Sequence, residues 1–98
     1  MRKLITHRSY KHSDFFFVEV TDTFGGEANY CWAHRFKVLA RTTKGAVRKV
    51  REEMGLPPAK LNGDYGDMSR YDFKQTAICA FVMAYEDQAE HYSNVKSI

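Results

Sequence analysis

Residues 77–84 read Ala77-Ile78-Cys79-Ala80-Phe81-Val82-Met83-Ala84. No charged side chain interrupts the surrounding stretch from Thr76 to Tyr85. A strand with one wet face alternates apolar and polar residues, whereas a strand apolar on both faces belongs inside a sheet. The run therefore predicts a central strand with a helix against one of its faces. A buried helix is the other reading of a run this short, and periodicity alone does not separate the two.

The helix that such a strand needs lies upstream. Between Thr42-Thr43 and Gly55, residues Ala46, Val47, Val50 and Met54 recur at helical spacing. Thr42 or Thr43 supplies the N-cap hydroxyl, and Gly55 stands where a left-handed residue closes a helix. Leu56-Pro57-Pro58 then stops it. Arg48 with Glu52, and Lys49 with Glu53, are spaced for i,i+4 pairs of about 0.2–0.5 kcal/mol each. The order of charge is unusual. Lys44, Arg48 and Lys49 sit toward the positive end of the helix and the two glutamates toward the negative end. Helix stability does not select that order, so a binding role is a reason for it.

Working further out, Phe15-Phe16-Phe17-Val18-Glu19-Val20-Thr21 is rich in strand formers, with Phe16, Val18 and Val20 on one face and Phe15, Phe17 and Glu19 on the other. A connection containing Gly25-Gly26 leads to a second strand at about Tyr30 to Ala40. Its even positions, including Trp32, Phe36 and Val38, face inward, while Arg35 and Lys37 form a wet, positive face. Lys60 to Asp67 reads as irregular, with Asn62-Gly63 as a turn, and Met68–Phe73 as a short extended piece. Glu86–Asn94 is polar and reads as a short terminal helix. The 98 residues make one domain: a basic arm at 1–13, an α+β core at 15–85 and a polar tail at 86–98. A chain of this length buries roughly 60–70% of its unfolded surface, enough for one core. The expected fold is α+β: a small antiparallel sheet of three to four strands with one main helix packed on one face, in the order β-β-α-β. An exposed edge strand at Phe15–Thr21 offers a route to a homodimer.

Charge is divided unevenly. Residues 1–51 carry eleven Lys/Arg against four acids, and residues 52–98 carry four against eight, so the halves stand at +7 and −4. Such asymmetry speaks about partners rather than fold. From Ala28 to Arg51 there is no acid, while Arg35, Lys37, Arg41, Lys44, Arg48, Lys49 and Arg51 all occur. This stripe is either an ordinary solvated surface or a contact for nucleic acid, or for a protein that handles it. Whether it forms one patch depends on the sheet face that the helix covers. Trp32, Tyr65, Asp67, Arg70 and Tyr71 form a second set of partner-binding candidates, because Trp, Tyr and Arg dominate interface energetics. The competing reading makes Trp32 core and Asp67–Arg70 an ion pair within a loop.

Signatures of reaction chemistry are weak. Cys31-x-x-His34 has a metal-like ring, but residues three apart on a strand point to opposite faces and no second ligand pair follows. Cys31 and Cys79 sit in apolar runs that raise a thiol's pKa and suit a reduced, cytosolic setting. Gly25-Gly26 fits neither phosphate-loop pattern. Asp64, Asp67 and Asp72, joined by Asp22 and Glu27, are candidates for an acidic pocket, although their spacing matches no EF-hand. No catalytic residue, cofactor or metal is assigned, and the chain reads as a non-enzyme. No run approaches the ~20 apolar residues that span a bilayer, and the basic start has no apolar segment of signal length behind it, so no membrane partner is expected.

Two stretches, Val18-Glu-Val-Thr-Asp-Thr-Phe-Gly-Gly-Glu-Ala-Asn-Tyr-Cys-Trp32 and Tyr65-Gly-Asp-Met-Ser-Arg-Tyr-Asp72, together with Gly45-Ala-Val-Arg-Lys-Val-Arg51, resemble small uncharacterised proteins encoded in bacteriophage and prophage genomes. The resemblance covers roughly residues 15–85. It implies a mobile-element origin and the bacterial cytoplasm, and brings no activity with it. Small phage accessory proteins often bind and disable a host factor, CRISPR and restriction machinery included. The expectation is therefore a protein that inhibits or modulates a host nucleic-acid-processing complex through protein contact, its partner a host protein or ribonucleoprotein. Direct nucleic-acid binding through the arm and the Arg35–Arg51 stripe is the alternative.

Overall fold

The alternating and two-sided apolar patterns become one sheet. In the computed structural model, which describes residues 15–22, 34–85 and 94–98, the elements run β1 (Phe15–Asp22), β2 (His34–Leu39), α1 (Thr43–Met54), β3 (Ala59–Asp64), β4 (Met68–Phe73), β5 (Ile78–Ala84) and β6 (Val95–Ser97). The strands form a six-stranded sheet in the order β3-β4-β5-β1-β2-β6. Neighbours are antiparallel except β2 and β6, which run parallel. The Ala77–Ala84 run is thus a central strand rather than a helix, and α1 packs on one face of the sheet.

The expected sheet of three to four antiparallel strands in β-β-α-β order is corrected to a six-stranded mixed sheet. Two strands account for the difference. β3, Ala-Lys-Leu-Asn-Gly-Asp, has poor strand propensity and contains the Asn62-Gly63 turn signal. The reversal instead falls at Tyr65–Asp67. There Gly66 adopts φ 97°, the Gly66 N–H donates to Asp64 Oδ1 at 3.2 Å, and the Tyr65 N–H donates to the Met68 carbonyl at 2.8 Å. Asn62-Gly63 becomes an irregularity in the ladder: register passes from Leu61↔Tyr71 to Gly63↔Arg70, and Asn62 is the extra residue. β6 carries too short and polar a sequence to announce a strand. Its pairing with β2 is extended by backbone bonds, the Ile98 N–H donating to the Lys37 carbonyl at 2.9 Å.

β1 is also not an edge, because β5 and β2 pair with it on either side. The route to a homodimer through Phe15–Thr21 is therefore closed. β3 and β6 are the edges. The bulge and Lys60 on β3 are features that discourage edge-to-edge pairing.

The helix forms as its sequence directs. Thr42 is the N-cap, its Oγ1 accepting from the Gly45 N–H at 2.9 Å. Gly55 closes the helix at φ 70°, where a Cβ is disfavoured. Thr43 is not a cap but is buried, its hydroxyl 3.0 Å from that of Tyr71. Neither anticipated i,i+4 pair forms among the described residues: Lys49 Nζ donates to the Leu39 carbonyl, and Glu53 pairs with Lys96.

The core lies between α1 and the sheet. Phe16, Val18, Val20, Phe36, Val38, Tyr71, Phe73, Ala80 and Val82 meet Ala46, Val47 and Val50. The face away from α1 is buried at its centre as well, at Phe17, Glu19, Thr21, Cys79 and Phe81. Ser69 is fully buried, and its hydroxyl has no hydrogen-bond partner among the described residues.

Phe16→Ala should lower unfolding free energy by about 3–5 kcal/mol, the cost of deleting a buried ring. Ser69→Ala should leave stability unchanged or raise it by about 1 kcal/mol, because it removes an unsatisfied buried hydroxyl. Urea unfolding of both variants measures this pair.

Candidate functional site

α1 covers the middle of the sheet and stops short of its β3 side. Lys44, Arg48 and Arg51 stand at i, i+4 and i+7, so they share one flank of the helix over about 10 Å of its axis. That flank borders a groove of about 990 Å³. Its other wall is Pro58, Ala59, Lys60 and Leu61, with Lys74 from the β4–β5 turn, and Val47 and Tyr71 line it as well. Local bonds fix the sheet-side wall and the turn that leads into it. The Lys74 N–H donates to the Pro58 carbonyl at 2.9 Å, and Arg51 Nε donates to the Leu56 carbonyl at 3.1 Å. The Tyr71–Thr43 hydroxyl contact joins the sheet to the first turn of α1.

The electrostatics of this groove are one-sided. Five cations line it and no acid does. Among the described residues none of Lys44, Arg48, Arg51, Lys60 and Lys74 forms an ion pair with a carboxylate. Like charges across a cleft repel, and low-dielectric walls concentrate the field. The lining also offers apolar surface in Val47, Pro58 and Leu61, and Leu61 is one of the few large hydrophobic side chains left exposed.

The remaining members of the basic stripe lie elsewhere. α1 packs against the Phe36 and Val38 face of β2, so Arg35 and Lys37 point to the opposite side of the sheet. There Arg35 Nε donates to Glu19 Oε2 at 2.7 Å, and Lys37 Nζ lies over the Phe15 and Tyr85 rings at 4.3 and 4.8 Å from their centroids. Arg41 is exposed in the turn before α1. Lys49 lies outside the groove lining and donates to the Leu39 carbonyl, so the stripe is not one patch, and Arg35 and Lys37 are engaged within the fold.

The aromatic and arginine candidates are dispersed too. Tyr65 and Asp67 are exposed at the β3–β4 turn, and the Tyr65 ring lies so close to Gly63 that an added Cβ would meet its hydroxyl at 2.5 Å. Arg70 points away from α1 and pairs with Asp72 rather than Asp67, Nε to Oδ1 at 2.8 Å. That bond raises the guanidinium pKa still further, so the charge is permanent. Asn62 Nδ2 donates to the same carboxylate at 2.6 Å. Tyr71 is buried, and burial raises its phenol pKa. Trp32 lies outside the described residues, as do the 1–13 arm, Gly25-Gly26, Glu27, Cys31 and residues 86–93 of the expected terminal helix. Lys60 and Lys74 carry no signal in the sequence, because they sit in the acidic half and join the helix cations only through the fold. The Pro57-Pro58 break that returns the chain along α1 is the one local hint.

The acids do not converge. Asp72 is in its ion pair, Asp64 accepts a turn N–H, and no group of three or more His, Cys, Asp or Glu gathers among the described residues. Cys79 is fully buried, and desolvation pushes its thiol up to about 11. A thiolate is therefore not formed there near neutral pH. A smaller cleft of about 630 Å³ beside β6 is lined by both signs of charge, including the Lys96–Glu53 pair. Among the described residues, no helix is long and apolar enough to cross a membrane. In comparisons with known proteins the chain matches no family model, no curated protein and no solved structure.

Cys79 has a measurable consequence. Its folded-state pKa is raised, so the stabilisation is whole below the ordinary value of 9.0 and fades as pH climbs toward about 11. Stability lost over that window should be about 2–3 kcal/mol greater in the parent than in Cys79→Ala. Denaturant melts of both proteins at pH 8, 9, 10 and 11 provide the comparison.

Proposed function

We propose that this chain is a non-enzymatic nucleic-acid-binding protein whose working surface is the groove between α1 and β3. The observation that carries this reading is the convergence of Lys44, Arg48, Arg51, Lys60 and Lys74 on one cleft with no acid among its lining residues. Phosphate contacts supply most non-specific affinity for nucleic acid, and they need clustered cations that are not already neutralised within the protein. The reversed charge order of α1 supports the same role. Lys44 at the helix N-terminus forgoes about 0.3–1 kcal/mol that an acid there would bring, a cost consistent with selection for binding over stability.

The setting drawn from the sequence resemblance is a phage or mobile-element accessory protein at work in the bacterial cytoplasm. Inhibition of a host complex by protein contact is the competing role within that setting. It draws on the same basic residues and also on Trp32, Tyr65, Asp67, Arg70 and Tyr71, and of this second set Tyr71 is buried and Arg70 faces away from the groove. The groove is therefore the better-supported interface.

Lys44→Glu with Arg48→Glu should reduce affinity for a labelled DNA or RNA by at least about a hundredfold, while unfolding free energy stays equal or rises by about 0.5 kcal/mol. Fluorescence anisotropy and urea melts of parent and variant read the two effects. Absence of nucleic-acid affinity in the parent at low salt, together with a nuclease-resistant complex with one host protein, would replace this reading with the inhibitor role.

A further inference from the structure

We infer that the groove takes a single-stranded nucleic acid, entered by its phosphate–sugar chain, rather than a duplex; this rests on the nucleic-acid reading above. The cations do not stand on a protruding ridge. They occupy two facing walls, Lys44, Arg48 and Arg51 on the helix and Lys60 and Lys74 on the sheet side, with apolar lining between them. A duplex is read by an element that projects into its groove, as an α-helix enters the major groove. α1 cannot project in this way, because its Ala46, Val47 and Val50 face is buried against the sheet and its cationic flank looks across a cleft. A duplex laid over the cleft would touch its rims alone. A single strand is thin enough to lie between the walls and meet both sets of cations, and its unstacked bases can rest on exposed Leu61 and Pro58.

The length of the site follows from the same geometry. The helix cations span about 10 Å of axis, room for a few nucleotides. The one aromatic in the lining, Tyr71, is buried, so affinity depends more on phosphate contact than on stacking, and sequence preference is weak. Three or four neutralised phosphates give a slope of log K against log salt of about −2 to −3 for a single strand.

The test uses the full chain with fluorescein-labelled oligothymidylates of about four, eight and sixteen nucleotides and a blunt duplex of about sixteen base pairs, titrated between about 50 and 300 mM NaCl. The expected result is saturation of affinity by about eight nucleotides, at least tenfold weaker binding of the duplex, and the salt slope given above. Lys60→Glu with Lys74→Glu should weaken single-strand binding at least tenfold; if that variant does not fold, Lys60→Gln with Lys74→Gln should weaken it about threefold with an unchanged circular-dichroism melt. Duplex binding as tight as single-strand binding overturns the inference and leaves the nucleic-acid reading standing. So does loss of binding on changing the helix cations with none on changing Lys60 and Lys74. Absence of affinity for every probe at the lowest salt overturns both, and points to an acidic protein surface as the partner.

Discussion

The pairing of β1 with β5 is the constraint on which the rest of this structure depends. It runs through seven residue pairs, from Phe16↔Ala84 to Asp22↔Ile78, and each strand has a further neighbour on its other side. Backbone donors and acceptors are thereby satisfied in both directions, so these strands can be buried on both faces. On one face they receive α1. On the other, burial of Phe17, Thr21 and Cys79 carries Glu19 in with them. A carboxylate that is 8% exposed requires a counter-charge, and Arg35 on the adjacent strand provides it. What reads in the sequence as a free basic residue is thus spent on the interior.

Among the described residues one helix of twelve residues lies on a sheet of six strands and leaves part of it uncovered. α1 packs on β1, β2 and β5 and reaches β3 only at its margin. The β3–β4 hairpin extends past it, and the step between helix flank and edge strand is the groove. Its walls are positioned by ordinary structural devices: the Thr42 cap, the Gly55 reversal, the Pro58–Lys74 backbone bond and the hydroxyl pair of Thr43 and Tyr71. The charges placed on those walls serve none of these devices. Lys44 runs against the helix dipole, and all five cations face like charges and have no carboxylate partners among the described residues, and for that reason they read as a surface built for something outside the chain.

Much of this was legible residue by residue. Helical spacing and its two caps marked α1, and the two-sided apolar run marked β5 as central. Strand-forming residues with alternating faces marked β1, and the sense of that alternation holds. β3 and β6 were not legible because their residues lack strand propensity; they are strands because neighbours pair with them. Asn62-Gly63 misled for a related reason. A two-residue turn signal competes with the register of a longer ladder, and here Gly66 offered the better reversal while Asn62 was absorbed as a bulge. The site was half legible. Lys44, Arg48 and Arg51 follow from helical periodicity, whereas Lys60 and Lys74 do not.

The sequence by itself determined the local elements with strong periodicity, the split of charge between the two halves, and the cationic flank of α1, because each depends on residues within a few turns of one another. Tertiary structure alone decided the number of strands, the interior place of β1, the division of the basic stripe between two sides of the sheet, and the meeting of Lys60 and Lys74 with the helix. These depend on which face of β2 the helix covers and which segments pair across the sheet. Burial and backbone pairing settle such questions over the whole chain at once, and no local stretch encodes them.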